Sequence, residues 1–155
     1  MKKLLLLLLC VPLIFTTCKK EDDTLGTGNF LETQDGSVWN RIDSSLNFNQ
    51  IGFYNSSYFF INKDTYNGSV ICSLWSEGTT DLVDTIITKH TSTEFSFSVE
   101  SITPAWGTIE IYNFTLDGNN LLKYEYSLTA MDGNSLAIGE GLFVRSSTET
   151  NLSCN

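Results

Sequence analysis

The sequence predicts an all-β protein: an antiparallel up-and-down meander of eight or nine strands that closes into a barrel, with a β-sandwich as the alternative. Three observations carry that prediction. Leu122, Tyr124, Tyr126 and Leu128 alternate with Lys123, Glu125, Ser127 and Thr129, and Phe95, Phe97 and Val99 alternate with Ser96, Ser98 and Glu100. Period two is the signature of a strand with one buried face. Between such runs stand Asn67-Gly68, Glu77-Gly78, Asp117-Gly118-Asn119 and Asp132-Gly133-Asn134, residue types that supply the positive φ of tight hairpins. Finally, no segment of ten or more residues carries a helical stripe, and no repeat recurs at a fixed period. Short turns make successive strands antiparallel, and closure removes the exposed edges that a meander otherwise presents.

The chain begins with an address. Met1-Lys2-Lys3 is a basic start and Leu4 to Phe15 is an apolar run, the pattern of a secretory signal over residues 1–17. Twelve helical residues reach roughly 18 Å, short of a hydrocarbon core of about 30 Å, so the run does not span a membrane. Thr16-Thr17-Cys18 then resembles the lipobox of bacterial lipoproteins, with Phe15 where Leu is usual and Thr17 where Gly, Ala or Ser is usual. The resemblance implies lipid attachment at Cys18, which becomes the first mature residue and ties the chain to a membrane. Lys19-Lys20-Glu21-Asp22-Asp23 resembles the charged export signal of Bacteroidota lipoproteins, which implies an outer-membrane lipoprotein facing outward. Stable anchoring takes more than one acyl chain, a need met by a diacylated cysteine. Residues 18–29 form the lipidated cysteine plus an acidic, flexible linker, and residues 30–155 form one domain.

The formal charge is −9, and loss of Lys2 and Lys3 leaves seven basic against 18 acidic residues, or −11. Such a surface repels phosphate backbones, which excludes nucleic acid as a partner. Of four cysteines, Cys10 leaves with the signal and Cys18 takes the lipid. Cys72 and Cys154 have no CxxC or Cys/His neighbourhood for zinc, and an exported chain meets an oxidising compartment. A disulfide between them is the simplest reading; the alternative is a buried thiol at Cys72 and a free one at Cys154.

Within the domain the strands fall near 37–42, 46–54, 57–63, 68–75, 80–88, 94–101, 107–116, 120–130 and 135–146. Phe53, Tyr54, Tyr58, Phe59, Phe60 and Tyr66 crowd six aromatics into 14 residues around the second hairpin, on both strand faces. One face is core; the other is covered or forms a contact surface for a ligand, protein or glycan. Trp75 and Trp106 lie near strand ends.

The stretch Phe30 to Trp39, FLETQDGSVW, resembles the opening of lipocalin-like domains in small Bacteroidota lipoproteins. In lipocalins a Gly-x-Trp element on the first strand lies under a basic residue of the last. Here the spacing is Gly36-x-x-Trp39, and Arg145 in Leu142-Phe143-Val144-Arg145 is the basic counterpart. The resemblance implies that Trp39 and Arg145 close one barrel end, and that the tail is tied back by a cysteine. It also implies a barrel that either holds a small apolar or amphipathic ligand or is filled by side chains. Phe60, Phe97, Tyr124 and Tyr126 are the expected lining of a hollow barrel. Leu122, Leu128, Phe95 and Phe143 pointing inward together would fill it.

Catalysis is not expected. His90 is the sole histidine, in the polar run Thr88-Lys89-His90-Thr91, and neither Gly-x-Ser-x-Gly nor His-Glu-x-x-His occurs. Asp81 with Asp84 and Glu94 with Glu100 are pairs that an acidic chain offers by chance. The Asp-Gly-Asn turns lack the spaced ligands of a calcium loop, so no metal and no cofactor are expected. The expected function is a non-enzymatic, membrane-anchored binding module; the alternative is a filled, structural or protein- or glycan-contacting envelope lipoprotein.

Overall fold

The computed structural model describes residues 28–44, 49–66, 69–80, 82–101 and 107–154, and within them the period-two segments form ten antiparallel strands of one sheet. In chain order these are β1 (Val38–Ser44), β2 (Gln50–Phe53), β3 (Phe60–Tyr66), β4 (Ser69–Trp75), β5 (Gly78–Thr79), β6 (Val83–His90), β7 (Glu94–Ser101), β8 (Thr108–Asp117), β9 (Leu121–Ala130) and β10 (Ser135–Arg145). Cys18, Trp106 and the Asn67-Gly68 turn lie outside the described residues. The count exceeds the expected eight or nine because residues 78–90 carry two strands. The Thr80 hydroxyl accepts from the Val83 amide at 3.1 Å, and the Thr80 amide donates to the Val83 carbonyl at 2.7 Å. That turn separates β5 from β6.

The sheet order is β4-β3-β2-β1-β10-β9-β8-β7-β6-β5, so the first and last long strands lie side by side. Trp39 pairs with Arg145 and Arg41 with Phe143 across that junction. The sheet curls through 251° into a half-barrel. It is therefore a single curled sheet, neither a sandwich nor a fully hydrogen-bonded barrel, with a seam between β4 and the β5–β6 edge. Ser76 and Glu77 alone join β4 to β5, which holds the two edges within roughly 11 Å at that level.

Among the described residues one helix, α1 (Phe30–Gln34), precedes the sheet, and five residues are too few for a periodic stripe. Its start is chemically marked: Asn29 Oδ1 accepts from the Glu32 amide at 3.0 Å, while Glu32 Oε2 accepts from the Asn29 amide at 2.9 Å. This is a capping box, which satisfies two otherwise orphaned donors. The helix plugs the lower end of the half-barrel. Phe30 is fully buried, with its ring 4.9 Å from Phe53 and 5.7 Å from Phe95.

Above Phe30 the interior is packed with rings. Phe53, Phe59, Phe60, Phe95, Phe97, Tyr112, Phe114, Tyr124 and Phe143 belong to one buried cluster with Leu116 and Leu122. The chain leaves β10 and crosses the outside of β1–β4, where Leu152 packs with Val38, Tyr54 and Ile61. The Tyr54 hydroxyl accepts from the Leu152 amide at 2.6 Å, and Lys63 Nζ donates to the Ser153 carbonyl at 3.1 Å. Cys154 is bonded to Cys72 on β4, with Cα atoms 5.7 Å apart. Gly36 has φ 69°, and a Cβ there would lie 2.9 Å from the Thr150 carbonyl, so this position under the tail requires glycine.

Candidate functional site

Residues paired across a sheet share a face, so the register identifies every inward position. Read from the plugged end upward, the inner row of β3 is Phe60, Asn62, Asp64, and that of β8 is Leu116, Phe114, Tyr112, Glu110. On β2 the row is Phe53, Ile51, Asn49; on β1 it is Trp39, Arg41; on β4 it is Trp75, Ser73. The β1, β2, β3 and β8 rows pass from apolar to polar toward the same end, whereas β4 continues to Ile71 and β9 runs Leu122, Tyr124, Tyr126, Leu128. The lower interior is a packed aromatic core, and the upper interior is a cup whose polar side chains, Asn62, Asp64 and Glu110, stand among apolar ones from β4, β7 and β9.

The border between them is well defined. Phe60 and Tyr112 have centroids 6.3 Å apart, and Trp75 stands 5.6 Å from Tyr112 and 6.0 Å from Phe97. Two residues further up each strand, about 6–7 Å higher, stand Asn62 on β3 and Glu110 on β8. Glu110 Oε2 accepts from the Tyr112 hydroxyl at 2.6 Å and from the Tyr126 hydroxyl at 3.2 Å. Burial pushes all three inner tyrosines, Tyr112, Tyr124 and Tyr126, above the usual phenol range. For Tyr112 and Tyr126 the hydrogen bond and the charge of Glu110 add to that effect, and Tyr126 is pushed up to about 12. The Asn49 amide donates to Asp64 Oδ1 at 3.1 Å.

Across this border two buried atoms have no hydrogen-bond partner: Trp75 Nε1, a donor, at the level of Phe60, and Asn62 Oδ1, an acceptor, one step above it. Leaving such groups unmet costs about 1–3 kcal/mol each, which marks a place where water or a ligand belongs. Trp75 also forms part of a cleft of about 450 Å³ at the seam, with Ser76, Glu77, Thr79, Val83 and Thr85. Thr85 and Val83 are inward positions of β6 whereas Leu74 faces outward, so the cleft lies across the open edge of the sheet. Two further clefts, of about 430 and 540 Å³, involve Glu125 and Glu140, which pair on the outer face.

The structure distributes the expected site residues over different environments. Phe60, Phe97 and Tyr124 are 0%, 0% and 1% exposed and pack on one another's neighbours within the buried core. Phe97 stacks on Tyr112 at 4.5 Å with planes 6° apart, which leaves no gap between those rings. Of the four, Tyr126 alone is only partly buried, at the cup. Leu122, Phe95 and Phe143 point inward and are fully buried, and Leu128 points inward beside Glu110, half-buried. Arg145 lies over the Trp39 ring at 6.0 Å, and the Trp39 indole donates to Ser37 Oγ at 2.9 Å, at the plugged end. Of the aromatic hairpin, Phe53, Phe59 and Phe60 join the core, whereas Tyr54 and Tyr58 meet edge to face, with centroids 5.0 Å apart, on the outer face beneath the tail. His90 ends β6 with its ring exposed on one side, and its Nε2 accepts from the Leu31 amide at 3.2 Å; partial burial lowers its pKa. Among the described residues, no group of three or more His, Cys, Asp or Glu side chains is placed to hold a metal.

Glu110, Asn62 and Trp75 were not legible as a site. The readable signal is a change of parity on β8: Ile109 and Ile111 are odd-numbered, while Tyr112, Phe114 and Leu116 are even-numbered. A strand whose apolar set switches faces must put something polar inside, and here that is Glu110.

Fold and site together define an all-β, single-sheet half-barrel with a filled lower core, an upper cup of mixed polarity and a disulfide-tied tail. The chain matches no family model, no curated protein and no solved structure.

Proposed function

We propose that this chain is an exported, non-enzymatic lipoprotein, anchored through Cys18, that binds a small amphipathic molecule in the cup and seam above its aromatic core. The observation that supports this most is the reversal of polarity along the inner face, from Phe60 to Asn62 and Asp64 and from Tyr112 to Glu110. Glu110 and Asp64 have protein donors, but the buried Asn62 Oδ1 has none and is costly to bury unless water or a ligand meets it. The ligand therefore has a polar part for the cup and an apolar part for Trp75 and Tyr126, and it does not lie among the core rings. Residue 28 enters the domain at the plugged end, so a tether at Cys18 joins the barrel opposite the cup. The acidic run after Cys18 favours placement on the outer face of an outer membrane.

Native mass spectrometry of the Cys18→Ser chain, released from its own host, tests the binding. A stoichiometric adduct lost on unfolding is expected, and a bare polypeptide under all mild conditions would refute it. Cys18→Ser should also move the protein from the membrane to the soluble fraction; persistent membrane attachment would refute the anchor.

A second reading, an envelope protein that makes contacts through its outer wall, is favoured by one observation. Ile86, Ser98, Ile111, Ser127 and Ile138 form a lateral row on the outer face, in which Ile138 is 80% exposed. Loss of a co-purifying protein on Ile138→Lys, with no small-molecule adduct in either form, would favour this reading over the first.

A further inference from the structure

The unmet atoms point to a ligand class, and we infer that the ligand is a neutral carbohydrate seated against Trp75. This inference rests on the binding reading above and narrows it. Trp75 Nε1 needs an acceptor and Asn62 Oδ1 needs a donor. An ammonium or guanidinium group offers donors only, a metal ion offers no hydrogen bond to either atom, and an ionised carboxylate or phosphate offers acceptors only. A hydroxyl offers both, and a sugar carries several at fixed spacing.

Charge points the same way. Glu77 at the seam and Asp64 and Glu110 in the inner rows oppose an anionic ligand, with Arg41 the one basic residue in those rows. A fatty chain in the cleft would match Trp75 and Val83 but leave Ser76 and Thr85 facing hydrocarbon, and it would not meet Asn62 Oδ1 on the adjacent β3. A sugar ring has an apolar face for the indole and an edge of hydroxyls for those side chains. The cleft of about 450 Å³ has room for one or two such rings.

The test is an amide and indole NMR titration of the ¹⁵N-labelled Cys18→Ser chain, with the Trp75 indole signal assigned through Trp75→Phe. Glucose, galactose, N-acetylglucosamine and cellobiose are the sugar probes, and laurate is the apolar one. At least one sugar should shift the Trp75 indole N–H saturably at millimolar concentration or below, and leave the Trp39 indole, bonded to Ser37 at the plugged end, unmoved. Asn62→Ala should weaken that sugar at least tenfold while the remaining spectrum stays folded. A shift with laurate and none with sugars overturns the carbohydrate class and leaves the binding reading standing. No shift with any probe, together with a bare mass in the native spectrum, overturns both. Sugar binding that leaves the Trp75 signal in place overturns the site.

Discussion

Phe97→Ala separates a packed core from a ligand lining. The Phe97 ring is fully buried, stacks on Tyr112 at 4.5 Å, and lies 4.8 Å from Phe59, 5.6 Å from Phe60 and 6.0 Å from Trp75. Removing a fully packed phenylalanine costs about 3–5 kcal/mol, the lost transfer energy plus the cavity left behind. The stacked Tyr112 adds about 0.5–1.5 kcal/mol of ring–ring energy, because its ring geometry loses its partner. The hydroxyl end of Tyr112 stays tied to Glu110, which hinders its ring from swinging into the void, so the upper part of the range applies: about 4–5 kcal/mol. Urea denaturation followed by circular dichroism measures this, with an unchanged slope showing that the same surface unfolds. The new apolar cavity should bind benzene and recover part of the lost stability. A loss below about 1 kcal/mol would mean that the ring faces open space, and the filled lower barrel would be wrong.

Three other outcomes follow from the same contacts. Glu110→Gln weakens two charge-assisted hydrogen bonds and should cost about 1–2 kcal/mol; it should also bring Tyr126 below its raised value near 12, seen as earlier phenolate absorbance in an alkaline titration. Reduction of the Cys72–Cys154 bond, or Cys72→Ser with Cys154→Ser, should cost about 2–5 kcal/mol, because the bond closes a separation of 82 residues; an unchanged urea midpoint would show that the tail staple is idle. His90 has a folded pKa below its usual value of 6.5, so the unfolded chain takes up a proton that the folded chain resists. Its contribution should therefore be complete above about pH 6.5 and fall away as the pH drops toward the folded value, a dependence that His90→Gln should flatten in denaturation curves at pH 8 and pH 5.

The sequence was informative where alternation was uniform. In β7, Phe95, Phe97 and Val99 could only share a face, and in β9 the Leu122-Tyr124-Tyr126-Leu128 set fixed the inner row. The hairpins at Gly118 and Gly133, with φ 71° and 87°, stand where Asp-Gly-Asn predicts them. What alternation could not say is how many strands a given curl needs, since closure depends on twist summed over the whole sheet. Nor could it rank aromatic rings as lining or filling: Phe60 and Phe97 face inward either way, and only their mutual distances settle that they are core. The cup was hidden for a different reason. Ile109, Ile111, Leu136 and Ile138 face outward near the open end, so local hydrophobicity there points the wrong way.

The most direct test of the account is an experimental structure of the protein isolated from its own host without delipidating or denaturing steps. The account predicts density for a small molecule above Tyr112, between Trp75 and the Asn62–Glu110 level, over a dry core of packed rings. A ligand lying among Phe60, Phe97 and Tyr124, or an upper interior closed by apolar side chains, would contradict it.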